Sequence, residues 1–179
     1  MLSFEVYRNG APAEHVDLAG AYVFGQDGIP VRADLASAKG TIQCLKRNPS
    51  PCGLSLMWDA GGPGKLMLGT TRLPDRKNPY NLNVELARSR VMQLIQKRED
   101  WWLFDYSDGI GLSRDFEKIR AGFVAALKAG TPGEAARIAD RTLDAAVTLS
   151  EKMALFHADI FLKRRRASQQ AMDGVGFGC

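Results

Sequence analysis

The side chains of this sequence best suited to recognition chemistry are a few aromatics with amide or carboxylate neighbours. Trp58 is followed by Asp59 and by Ala60-Gly-Gly-Pro-Gly64; Tyr80, Asn81 and Asn83 lie together; Trp101 and Trp102 are adjacent. An exposed indole or phenol ring can cover the apolar face of a sugar ring while nearby amides and carboxylates bond its hydroxyls. The candidate ligand-binding residues are therefore Trp58, Asp59, Tyr80, Asn81, Trp101 and Trp102. The plain alternative is that Trp58 and one of the adjacent tryptophans belong to the core. Neighbouring residues on a helix point about 100° apart, so at least one of Trp101 and Trp102 should be partly exposed or lie at an interface.

Other chemistries find less support. Gly61-Gly-Pro-Gly64 followed by Lys65 superficially resembles a phosphate loop. It lacks the G-x-x-x-x-G-K-[ST] spacing, and Leu66-Met-Leu68 continues as a strand, so a hairpin loop is the simpler reading. His15 and His157 are far apart, and Cys44 and Cys52 match no zinc spacing. His157 falls on an apolar helical seam, where a lone histidine reads as a core residue bonded to a carbonyl. No nucleophile elbow is present. Glu85 and Glu99 stand about 21 Å apart along one helix, too far for a glycosidase carboxylate pair; Glu85 is placed instead to pair with Arg88 on the surface. No catalytic residue, metal or cofactor is expected.

The elements that must carry the candidates follow from the hydrophobic period. Up to about Arg72 the signals are strands and turns: Ser3–Arg8 closed by Asn9-Gly10, Ala21–Phe24, Ile29–Ala33 as an edge, Thr41–Leu45, Gly53–Trp58 and Lys65–Thr70. Five or six short strands suggest an antiparallel sheet or small sandwich. Asn78-Pro79 fits a helix N-cap with proline at the first position, and Val84, Ala87, Val91, Leu94 and Ile95 then recur at helical spacing to about Trp102. A loop at 106–111 follows. A second helix should put Phe116, Ile119, Phe123 and Leu127 on one face, with Gly130 as its stop. Thr131-Pro-Gly-Glu134 reads as a capping box. It opens a third, long helix whose seam runs through Ala139, Leu143, Ala146, Ser150, Met153, His157 and Ile160.

Strands first and helices after is an α+β pattern. The reading is one domain over 1–168, with a β-rich half at 1–75 and a helical half at 78–168, then a glycine-rich linker at 169–179. The chain has 179 residues, 45% hydrophobic and 25% charged, enough for one substantial core. No apolar run reaches the roughly 18–20 residues of a membrane span, so no membrane partner is expected. Met1–Glu5 has no basic or long apolar segment, so no signal peptide is expected. With an odd number of cysteines, Cys44, Cys52 and Cys179, that points by default to a cytoplasmic protein. The net charge of +4 equals the run Lys163–Arg166, and the remainder sums to zero. The run reads as a solvated helix end, complementing that terminus's partial negative charge, rather than as a nucleic-acid tail.

Four stretches carry a family likeness: Lys65-Leu-Met-Leu-Gly-Thr-Thr-Arg-Leu-Pro74, Asn78-Pro-Tyr-Asn-Leu-Asn-Val-Glu-Leu-Ala-Arg88, Gln96-Lys-Arg-Glu-Asp-Trp101 and Leu149-Ser-Glu-Lys-Met-Ala-Leu-Phe-His-Ala-Asp159. Together they resemble the N-terminal region that precedes the catalytic barrel in glycoside hydrolase family 10 (endo-1,4-β-xylanase-like) proteins of planctomycete-type bacteria. The resemblance covers nearly the whole chain and puts the start of the barrel near Gly176-Phe-Gly-Cys179. It implies a non-catalytic, carbohydrate-binding accessory domain, with xylan-type polysaccharide and a downstream barrel as partners. The family's catalytic glutamates belong to the barrel, so no residue of this chain inherits their role. The alternative is a protein-interaction or self-association module built on the C-terminal helices.

Overall fold

The computed structural model describes residues 1–101 and 111–167; the loop read at 106–111, apart from Gly111, and the linker read at 169–179 fall outside them. The architecture is α+β, with the strands in the first half. The first strands are β1 (Leu2–Glu5), β2 (Tyr7–Arg8), β3 (Ala11–Pro12), β4 (Tyr22–Phe24) and β5 (Ala33–Ala38). They are followed by β6 (Thr41–Lys46), β7 (Gly53–Asp59), β8 (Lys65–Gly69) and β9 (Tyr80–Asn81). The helices are α1 (Leu82–Asp100), α2 (Leu112–Lys128) and α3 (Pro132–Ala167).

The strands form a four-stranded sheet ordered β5-β6-β1-β9, a three-stranded sheet ordered β4-β7-β8, and the β2-β3 hairpin. Asn9-Gly10 turns that hairpin with φ of 54° and 85°, as a two-residue primed turn requires. The expected strand at Ile29–Ala33 is corrected: only an isolated bridge joins Phe24 to Pro30, and the true strand begins at Ala33. Pro30 has no N–H for a ladder. The alanines and serine of Ala33–Ala38 give little hydrophobic signal, which hid β5. A wholly antiparallel sheet is also corrected, because β9 runs parallel to β1, pairing Tyr80 with Phe4 and Asn81 with Glu5.

That pairing moves the start of α1. Asn81 is held extended, and its side chain accepts from the Val84 N–H, so the cap is Asn81 rather than Asn78 and Pro79 stays outside the helix. Leu94 is buried but Ile95 is exposed, and in α2 Ala126 takes the buried place expected of Leu127. In α3 the Thr131 hydroxyl accepts from the Glu134 N–H at 3.3 Å, the hydroxyl half of the expected capping box. The helix then runs for 36 residues, about 54 Å at 1.5 Å per residue.

One buried cluster draws on both larger sheets and the helices, with Leu2, Phe4 and Ile42 meeting Leu54, Leu56 and Trp58 under Leu82, Leu86 and Leu143. A second joins the three helices through Val91, Leu94, Phe116, Ile119, Leu149 and Met153. At the end of β6, beside the loops at 47–50 and 74–78, lies a buried cation: the Lys46 side chain is only 2% exposed and pairs with Asp75 at 3.0 Å. Its ammonium also donates to the carbonyls of Asn48 and Ser50. All three of its N–H donors are thereby used, which is what makes burying such a charge tolerable. Desolvation pushes the Asp75 carboxyl up, but the Lys46 hydrogen bond and charge, helped by the N-terminal amine, outweigh it and hold the group below its ordinary value.

The opening of α3 is docked at backbone contact distance. A Cβ added to Gly133 would collide with the carbonyl of Gly10 at the tip of the first hairpin, and that tip has little freedom to yield because its φ values are fixed by the turn. Gly133→Ala is therefore expected to lower stability by about 1–3 kcal/mol, as overpacking does, although alanine alone favours a helix by about 1 kcal/mol. Urea unfolding followed by circular dichroism checks this; an unchanged or raised midpoint would show that the contact is not tight.

Candidate functional site

The expected ligand residues do not converge. Asn81 and Trp101 stand at opposite ends of α1, a helix of 19 residues and about 28 Å. Trp58, on β7, is buried at 2% exposure, its face covered by the Arg8 guanidinium at 4.3 Å. It belongs to the core and cannot stack on a sugar, because its inward position on the strand points it between sheet and helices. Tyr80 is likewise removed as a stacking platform: it is buried, its hydroxyl donates to the Pro74 carbonyl, and Arg76 lies over its ring at 3.4 Å. Asn81 is committed as a helix cap and donates to the Pro132 carbonyl at 2.9 Å. Asp59 is exposed and accepts from the Gly61 N–H, turning the loop to β8. That glycine loop faces the Asp144 carboxylate, 3.2 Å from where a Gly61 Cβ would stand, the wrong charge beside a phosphate cradle. Trp102 lies outside the described residues.

What the fold does assemble around β2 is a polar clamp the sequence did not reveal. Asn83, fully buried in α1, accepts from the Tyr7 N–H at 3.1 Å and donates to the Tyr7 carbonyl at 3.0 Å. Its amide also donates to both oxygens of Asp140 on α3, at 2.9 and 3.0 Å. Burial raises the Asp140 carboxyl above its ordinary value, against the Asn83 hydrogen bond and the Arg8 charge, and Asp59 adds repulsion. Tyr7 is pushed up to about 12 by burial and by its hydrogen bond to Glu5. Every polar group here is engaged in holding elements together. Glu85 and Arg88 do pair at 2.9 Å, yet Glu85 is buried rather than on the surface, and Arg88 also lies near the Phe123 ring at 5.3 Å.

The free surface lies at the far end of α3. His157 is not in the core: it stacks on Trp101, rings 4.7 Å apart and 14° from parallel, because α1 ends there and its C-cap indole lies against the imidazole, with the Phe161 ring 6.4 Å away. Lys97 lies over the other ring system at 4.7 Å. Beyond this stack every residue from 161 to 167 is exposed. Leu155, Phe161 and Leu162 are 66%, 60% and 49% exposed. Leu155, Ala158 and Leu162, spaced three and four apart, form a single row, on a face different from the buried Met153 and the partly buried Ile160. The seam read from sequence followed Met153 and Ile160; the signal it missed was a second pair of leucines seven residues apart. A groove of about 520 Å³ also opens between α2 and α3, with Ile119, Ile138 and Leu149 inside and Lys118, Arg141 and Lys152 at its edge.

Comparison of the chain with protein-family models, with curated proteins and with solved structures finds no match to any of them.

The clamp makes a pH-dependent contribution with a definite sign. Asp140 keeps its proton to higher pH when folded than when unfolded, so from about pH 4 upward its contribution to stability falls as pH rises. Asp75, lowered when folded, contributes in the opposite direction and is lost as pH falls. Asp140→Asn should therefore flatten the descending part only. Urea midpoints of both proteins across the acid range measure it; a constant wild-type-minus-variant difference would remove Asp140 from the account.

Proposed function

We propose that this chain is a non-catalytic protein-interaction module whose working surface is the exposed apolar end of α3. The observation that carries the reading is the row Leu155, Ala158 and Leu162 with Phe161 beside it, three of them large apolar side chains exposed near the end of a helix of 36 residues. Keeping such a patch exposed carries an association liability, which a docking role explains. The reading is consistent with the accessory role implied by the resemblance to xylanase-like glycoside hydrolases, a domain placed beside a catalytic barrel.

Carbohydrate binding is the second reading. It is supported by Tyr22 on the outer face of β4, 38% exposed with the Phe24 ring 6.4 Å away, and no longer by Trp58 or Tyr80.

Two measurements separate them. If α3 is the working surface, the apolar probe bis-ANS photo-incorporates into the segment containing Leu155–Leu162, and Leu155→Glu with Leu162→Glu abolishes the labelling while helix content is kept. Retention on insoluble xylan that survives this pair of changes but is lost in Tyr22→Ala would overturn the reading in favour of sugar binding.

A further inference from the structure

We infer that the groove between α2 and α3 binds a small amphipathic carboxylate, a hydrocarbon body ending in one carboxyl group. The inference is independent of the docking role given to the exposed end of α3.

The groove exists because small residues face one another across it. Gly122 meets Thr142 while Asp115 meets Lys152, the order of an antiparallel helix pair. At Gly122 the helices are so close that an added Cβ would stand 2.9 Å from the Thr142 hydroxyl. Along α3 beyond that contact come Ala145 and Thr148, both exposed, and neither side chain is large enough to fill the space towards α2. Ile119 and Leu149 lie beneath, at 4% and 2% exposure, so the floor is the outer surface of the three-helix cluster. The volume of about 520 Å³ suits a small organic molecule.

Charge selects the molecule. The lining holds three cations and two carboxylates, and their pairing is uneven. Asp115 is shared by Lys118 at 3.9 Å and Lys152 at 3.7 Å. Asp144 is turned to the β7–β8 loop, its carboxylate 3.2 and 3.4 Å from where Cβ atoms on Gly61 and Gly62 would stand. Arg141 is left exposed and, among the described residues, without an ion pair. The Thr142 hydroxyl donates to the Ile138 carbonyl and is already spent. Polar recognition therefore falls to one guanidinium, whose planar fork matches a single carboxylate through two parallel hydrogen bonds. A cationic head would meet repulsion from the same group. From Arg141 the groove runs to Lys152, eleven residues on, about 16 Å along the helix, and the hydrocarbon body lies on that path over Ala145 and Thr148. An open groove and a small ligand give weak affinity, in the millimolar range.

The test is a nitrogen-15 NMR titration of the whole chain with octanoate, beside 1-octanol and octylammonium. Octanoate should shift the amides of Gly122, Ala145 and Thr148 saturably and bind about fivefold tighter than octanol, the worth of one exposed charge pair. Arg141→Ala should remove that advantage and leave octanol unchanged. Ala145→Leu, which fills the groove from an exposed position, should abolish the shifts from both with circular dichroism retained; Thr148→Leu repeats the test from the next turn. Octanol or octylammonium binding as tightly as octanoate would overturn the inference, as would indifference to Arg141→Ala. Shifts confined to Leu155–Leu162, or no saturable shift at all, would overturn it too.

Discussion

The amide of Asn83 is the interaction on which the arrangement of strands against helices depends. One side chain satisfies both backbone groups of Tyr7 on β2 and a carboxylate on α3, from a position fully buried at the start of α1. A primary amide has two donors and an acceptor, so it can serve a peptide N–H and C=O at once and still reach a third element. A leucine of similar size would leave the Tyr7 backbone groups and the Asp140 carboxylate unpaired in a region from which water is excluded, and unmade bonds there cost more than made ones contribute. The first hairpin, the first helix and the last helix are thus held at one point, and the close approach of Gly133 to Gly10 follows from how near that point brings them.

Charge is managed in the same economical way. Lys46 is buried with all of its donors occupied, Asp75 answers both it and the chain's amino terminus, and Asp140 tolerates burial because Asn83 and Arg8 face it. Cys44, two residues before Lys46 on β6, is pushed up to about 12 chiefly by burial, so its thiol behaves as a small apolar group. Among the described residues, Tyr7 and Asp140 meet at the Asn83 clamp, Cys44 and Asp75 lie near one another, and burial alone lowers Arg90. Perturbation of this kind marks functional sites only when several such groups open onto one cavity.

The legibility of the sequence varied with the physical origin of each feature. Local chemistry read well: Asn9-Gly10 forms its primed turn, Thr131 caps α3, and the alternation of Gly53–Trp58 becomes a strand. Features set by distant partners did not. The short strand at Tyr80–Asn81 exists only because β1 lies beside it, and that contact displaced the start of α1 by three residues from where Asn78-Pro79 suggested. Trp58 and Tyr80 look like ligand platforms in sequence because nothing local says that Arg8 and Arg76 will cover them. Asn83 appeared merely as a neighbour of Tyr80, since its role depends on residues 76 positions before it and 57 after it. The exposure of Leu155 and Leu162 was hidden by the opposite effect: α3 continues past the level at which α1 ends, and periodicity does not record where a neighbouring helix stops.

The change in burial along α3 gives it two different thermodynamic characters. The part up to the Trp101–His157 stack is fastened by burial, and its amides can exchange with solvent only when the core opens. The last turns carry exposed side chains and the Asp159–Lys163 pair, and helix that buries little draws more on intrinsic propensity than helix packed along a core. Segments with little burial are the ones that open at low free energy while the body stays folded. A surface that settles on the end of α3 must first supply the free energy of ordering, so its apparent affinity is set as much by how often the end is already helical as by the contacts it makes.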